Sequence, residues 1–151
     1  MIIIDEIDRK ILAELEEDGR MSYAELGRKL DLTRVSIRER IVKLKEKGII
    51  EKFTVIVDPE KIGKKLSAFF EIDVEPNYLD EVANKLAEEE EVYSLYLMTG
   101  ASTLHMHSLL KDHDELENFL IEKIYSLKGI TRVRSKIILK RYKNRDGGAR
   151  L

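Results

Sequence analysis

From about residue 66 onward one pattern runs twice, and it constrains the fold more than anything else in the chain. SAFFEIDVEP alternates as a strand, NYLDEVANKLAEEEE has helical spacing, and VYSLYLMTG alternates again. STLHMHSLLK, DHDELENFLIEKIYSLKG and ITRVRSKIILKRY then repeat the order strand, helix, strand. Two β-α-β units in succession predict a ferredoxin-like βαββαβ arrangement, an antiparallel sheet with both helices on one face. The other face has no cover of its own. Phe69, Tyr93 or Tyr96, and Ile138 are available for it, so a second copy of the chain, packed as a self-complementary dimer, is the expected cover.

The first fifty residues follow a different period. Ile7, Ile11, Leu12 and Leu15 fall on one helical stripe, opened by Asp5 as N-cap and stopped at Gly19. Ser22 and Glu25 have capping-box spacing at the head of a second helix that buries Leu26 and Leu30. Asp31-Leu32 turns the chain, Thr33 caps a third helix, and Gly48 ends it. A short turn between two helices, the second of them basic, is the pattern of a helix-turn-helix. In IIEKFTVIVDPEKIG, Phe53, Val55 and Val57 alternate with Lys52, Thr54 and Ile56, which predicts a strand ending at Asp58-Pro59 and serving as wing or hinge. The predicted class is therefore α+β: a (winged) helix-turn-helix domain over residues 1–50, a hinge strand and linker over 51–65, and an α/β domain that carries self-association over 66–151.

Charge is laid out in blocks that the net value of −2 conceals. Seven bases stand against three acids from Thr33 to Lys52, and nine against one from Lys128 to the end; between Glu71 and Val92 nine acids face Lys85 alone. A chain built this way can offer one positive surface to a polyanion and remain soluble. The absence of cysteine excludes disulfides, thiolate zinc sites and cysteine nucleophiles. With no Gln or Trp either, and Glu, Lys and Ile abundant, the composition suggests a thermophilic source. Three isoleucines precede the first charge, too few for a signal peptide or membrane span, so a cytoplasmic protein without membrane partners is expected.

On the third helix Ile37, Ile41 and Leu44 form the buried stripe. The opposite side carries Val35, Arg38, Glu39 and Val42, with Ser36 and Lys43 beside them. A solvated face of a thermophilic helix is also rich in Lys and Arg. This one adds a short hydroxyl and exposed β-branched methyls, the groups that read a major groove: Arg to guanine, Ser to several acceptors, Val to a thymine methyl. Arg34, Lys43 and Lys45 suit phosphates, which fix register without specifying sequence. The candidate DNA-binding residues are Ser22, Arg34, Val35, Ser36, Arg38, Glu39, Arg40 and Lys43.

Three stretches together resemble the Lrp/AsnC group, the feast/famine transcriptional regulators, over nearly the whole chain. They are IDEIDRKILAEL from Ile4 to Leu15, the set Ile37, Arg40, Ile41, Leu44, Gly48 and Ile50, and the hinge with Asp58-Pro59 and Gly63. The resemblance implies a sequence-specific regulator of double-stranded promoter DNA that dimerises through its C-terminal domain. It further implies assembly of dimers into tetramers, octamers or larger discs, and an amino acid or related small molecule as effector. With the composition, it points to a thermophilic archaeon. In the family the effector turn commonly reads Thr-Gly-x-x-Asp. Here Thr99 and Gly100 match, Ala101 and Ser102 follow, and Thr103 stands where the Asp would be. The ammonium of an amino acid wants a carboxylate, and Thr103 offers a neutral hydroxyl. Either another acid supplies the charge, or the ligand differs, or the protein responds to none. A tight hairpin needing a permissive backbone at Gly100 is the alternative reading of the same turn.

His105 and His107 share a strand face and His113 follows, but three or four ligands are needed for zinc, so a histidine-lined sheet surface is expected rather than a metal site. No nucleophile–base pair, Gly-rich phosphate loop or metal motif is present, so neither an enzyme nor a cofactor is expected. An architectural DNA-packaging protein with little sequence preference is the alternative function, slightly favoured by the basic tail KRYKNRDGGARL and disfavoured by the acidic net charge.

Overall fold

The structure, a computed structural model, describes residues 4–100, 102–140 and 142. Ala101 and most of the basic tail, Arg141 and Lys143–Leu151, lie outside the described residues. The chain divides into two compact units that meet in sequence at Ile56 and Val57.

The N-terminal unit is three helices, α1 (Glu6–Glu17), α2 (Tyr23–Leu30) and α3 (Arg34–Glu46), around a core of Ile11, Leu26, Ile37 and Ile41. Each helix starts where a side chain can accept an otherwise unpaired N–H. Asp5 takes the Asp8 N–H at 2.7 Å and Asp8 returns the bond, a full capping box. Ser22 takes the Glu25 N–H at 3.2 Å, and Thr33 the Ser36 N–H at 3.1 Å. The stop of α1 differs from expectation. It falls at Asp18, whose backbone is extended and whose side chain takes the Arg20 N–H at 2.9 Å, so no left-handed residue is needed at Gly19.

Residues 51–57 correct the hinge strand. They join no β-ladder, and Phe53, Val55, Ile56 and Val57 are all exposed. The alternation is real, but a strand also needs a neighbour for its N–H and C=O groups, and the described residues bring none. Among the described residues there is accordingly no wing.

The C-terminal unit is the expected ferredoxin-like α+β arrangement. Strands β1 (Leu66–Val74), β2 (Val92–Leu97), β3 (Thr103–Leu110) and β4 (Ile130–Ile137) form one antiparallel sheet in the order β2-β3-β1-β4. Alternate residues of β1 (Leu66, Ala68, Phe70, Ile72, Val74) and of β3 (Leu104, Met106, Ser108, Leu110) are buried. They pack with Val82 and Leu86 of α4 (Leu79–Ala87) and with Phe119 and Ile124, which follow α5 (His113–Asn118). Phe119–Ile124 continues α5 with a wider, π-type turn that helical spacing alone does not reveal. Helix α4 ends at Ala87, so Glu88–Glu91 lie beyond its negative end rather than on it, and Glu89 pairs with Lys123 at 2.9 Å.

The second sheet face is left to solvent by the chain's own helices. Phe69, Tyr93 and Tyr96 are 47%, 59% and 61% exposed there, with Ile138 half-buried. Tyr93 is the extra residue of a β-bulge opposite β3, and its ring meets His107 edge-on at 5.5 Å.

Candidate nucleic-acid interface and effector turn

The helix-turn-helix closes through the backbone. Asp31 adopts a left-handed conformation (φ 54°) at the end of α2, and the Leu32 N–H donates to the Gly27 carbonyl at 2.9 Å. Thr33 then starts α3, whose Ile37, Ile41 and Leu44 are buried as expected. At about 100° per residue from Ile37, the side facing away holds Val42, Val35 and Glu39 between about 140° and 200°. Two basic edges flank it: Arg34, Lys45 and Arg38 on one side, Lys43, Lys47 and Arg40 with Ser36 on the other. Val35 is 63% exposed, and Arg34, Arg38, Glu39, Val42 and Lys43 are exposed beside it.

Two of the sequence-selected residues are committed elsewhere. Arg40 turns toward α1 and places Nη1 2.6 Å from Asp5 and 2.8 Å from Asp8, with side-chain exposures of 28% for Arg40 and 15% for Asp8. It is a clasp between the first and third helices, not a free donor for DNA. Ser22 spends its hydroxyl oxygen on the Glu25 N–H. Lys45, on the other edge, lies 5.9 Å from the Phe53 ring centre, a cation–π contact.

The Arg40 guanidinium holds the Asp5 carboxyl below its ordinary value of 3.8, assisted by the Asp8 N–H. A depressed carboxylate pKa adds stability above the unfolded value that is lost as pH falls through the folded one. The melting-temperature gap between the wild type and Arg40→Ala is therefore expected to be wide near neutrality and to close on acidification below about pH 4. Thermal melts followed by circular dichroism across that range check it; a gap that persists unchanged at low pH sinks the clasp.

Sequence reading missed Gly27. A Cβ there would lie 2.5 Å from the Leu32 carbonyl oxygen, so the turn closes only over a residue without a side chain. The one available signal was a glycine inside a helical pattern four residues before the turn.

In the second unit the turn between β2 and β3 is built as a tight hairpin. The Met98 N–H donates to the Thr103 carbonyl at 3.0 Å, Gly100 has φ 115° and Ser102 φ 32°. Thr99 and Gly100 are exposed, while Ser102 is tied to β1 through the Val74 N–H at 3.1 Å. Thr103 donates to Asp73 Oδ1 at 2.7 Å, and Arg132 closes on Asp73 Oδ2 with Nε at 2.7 Å and Nη2 at 2.6 Å. Those bonds, Thr103 first, hold the Asp73 carboxyl below the ordinary carboxylate range. A carboxylate thus does stand beside the turn, but on the neighbouring strand. Glu71, next on the same face, pairs with Lys136 at 3.0 Å and Arg134 at 2.7 Å. Of the histidines, His105 faces Glu71 across the ladder, His107 stacks on Phe69 at 4.5 Å with Nε2 2.6 Å from Ser67 Oγ, and His113 opens α5. Among the described residues no three potential ligands converge on a metal position.

The sequence matches two domains in this order: an AsnC-type helix-turn-helix domain over residues 4–45 and an Lrp/AsnC ligand binding domain over residues 67–147. The chain belongs to the Lrp/AsnC family. It is 41% identical over 136 residues to an HTH-type transcriptional regulator of Pyrococcus furiosus, covering 90% of this chain and 92% of the relative. To the regulator LrpA of Pyrococcus horikoshii it is 37% identical over 141 residues, 93% of this chain and all of that protein (100%). The structure of AsnC from E. coli superposes with a TM-score of 0.90 at 28% identity, over 96% of this chain and 98% of AsnC. As an Lrp/AsnC member the protein is a transcriptional regulator with a helix-turn-helix DNA-binding domain, and not an enzyme. Among its described residues no helix is long and apolar enough to cross a membrane.

Proposed function

We propose that the protein occupies promoter DNA with α3 in a major groove, acting from the cytoplasm as a homodimer or a tetramer or octamer of such units. The observation that carries this reading is the composition of the free side of α3. An exposed Val35, with Arg38, Glu39 and Val42, lies between two basic edges suited to the phosphates of the two strands. Arg34 and Lys43 fix register, Arg38 reads a base edge, and Ser36 sits beside them. Arg40 and Ser22 act by holding the helices instead.

The uncovered sheet face supports self-association. A second copy laid on Phe69, Tyr93 and Tyr96 would bury rings that the chain otherwise leaves to water. Two copies of α3 would then meet half-sites about one helical turn, or a multiple, apart. In the ligand binding domain, Thr99, Gly100, Ser102 and Thr103, with Ala101 outside the described residues, border a small-molecule effector. Asp73, held by Thr103 and Arg132, is the carboxylate beside the turn that an effector's ammonium would share.

Selection of the purified protein against a random duplex pool at near-physiological salt tests the DNA reading. A near-palindromic motif is expected. A retained but unenriched pool would favour the architectural alternative, and a pool not retained even at low salt would sink both. Arg38→Ala should relax preference at one position per half-site. Lys43→Ala should weaken all duplexes alike and reduce the salt slope by about 1.

A further inference from the structure

Glu39 is out of place on a helix that holds DNA by charge alone. It lies mid-way along the free side of α3, one turn after Val35 and just before Val42, with bases on both edges. Phosphates would repel it on any duplex. It is exposed, and among the described residues it enters no ion pair; the acids that steady α3 are Asp5 and Asp8, through Arg40. Removing Glu39 would cost the fold little, and if charge alone mattered it would raise affinity for any duplex. A carboxylate in that position needs a donor to face.

The floor of the major groove offers two, the N4 amino group of cytosine and the N6 amino group of adenine. Adenine sets its N7 acceptor beside N6, and guanine presents acceptors only, so both repel an approaching carboxylate. Cytosine presents its amino group with a C–H beside it. Resting on the reading that α3 enters a major groove, we infer that Glu39 determines specificity: its carboxylate accepts a hydrogen bond from N4 of one cytosine in each half-site. Val35 and Val42 lie about 6 Å and 4.5 Å from it along the helix axis, one to two base steps away, and place methyl groups where thymine methyls project. The strand read by α3 then carries a cytosine with thymines within two steps of it. Guanine in place of that cytosine binds roughly tenfold more weakly.

The test is duplex selection with full-length wild type, Glu39→Gln and Glu39→Ala, each checked by thermal melting. The wild type is expected to enrich cytosine at one position per half-site. Glu39→Gln should move that position to adenine, whose N6 and N7 suit an amide, and leave the others unchanged. Glu39→Ala should lose the preference there and bind unrelated duplexes more tightly at low salt. The same motif from all three proteins overturns the role of Glu39 while leaving the groove reading intact. No motif even from the wild type overturns the groove reading itself, and this inference with it.

Discussion

Gly27→Ala should cost the N-terminal unit about 2 kcal/mol, although alanine is the better helix former. The added Cβ would stand 2.5 Å from the Leu32 carbonyl oxygen, a backbone atom that cannot swing aside as a side chain could. Overpacking of this kind costs roughly 3 kcal/mol at the upper end, against about 1 kcal/mol gained from helix propensity. To make room the turn must open, and the bond from the Leu32 N–H to the Gly27 carbonyl goes with it. Since that turn sets the angle at which α3 leaves α2, DNA affinity should fall further than stability does. Melting and duplex binding of the variant decide the matter. A melting temperature at or above the wild type would mean that propensity dominates and the turn is softer than described.

Phe70→Ala should be the most damaging single change in the C-terminal unit, at about 3–5 kcal/mol. Phe70 is fully enclosed in the central strand, beside Met106 across one ladder and Ser135 across the other, and its ring packs on Phe119 at 5.9 Å. Phe119 begins the π-type turn, so the cavity would open where the helix is least regular and can least easily collapse. The N-terminal core of Ile11, Leu26, Ile37 and Ile41 shares no residue with this one. Denaturant unfolding should therefore lose its C-terminal step early and keep its N-terminal step. One shifted transition carrying all the signal would show that the units do not unfold separately.

What the sequence made legible is what repeats at short range. The stripe of Ile37, Ile41 and Leu44, the capping residues Asp5, Ser22 and Thr33, and the alternation of β1 and β3 are local, and each appears in the fold. What it hid depends on partners far along the chain. Arg40 has the composition of a DNA contact until Asp5 and Asp8, 35 and 32 residues away, are brought to it. Thr103 reads as the loss of a charge until Asp73, 30 residues away, arrives on the next strand. The hinge failed in the opposite direction. Its alternation was local and visible, while among the described residues no neighbour pairs with it to make it a strand. Periodicity reports which side of an element is apolar; it does not report what meets that side.

The charges on the uncovered sheet face are settled within one chain. Arg132, Arg134 and Lys136 of β4 pair with Asp73 and Glu71 of β1, and the rings of Phe69, Tyr93 and Tyr96 are the exposed apolar material of that face. Among the described residues, the bases of α3 other than Arg40 pair with no acid. Contacts made by the two surfaces will then answer differently to ionic strength. Raising the salt screens attraction to phosphate steeply, but in the proposed dimer it would leave apolar association of the sheets nearly untouched. Added salt would release such a regulator from its operator without taking it apart.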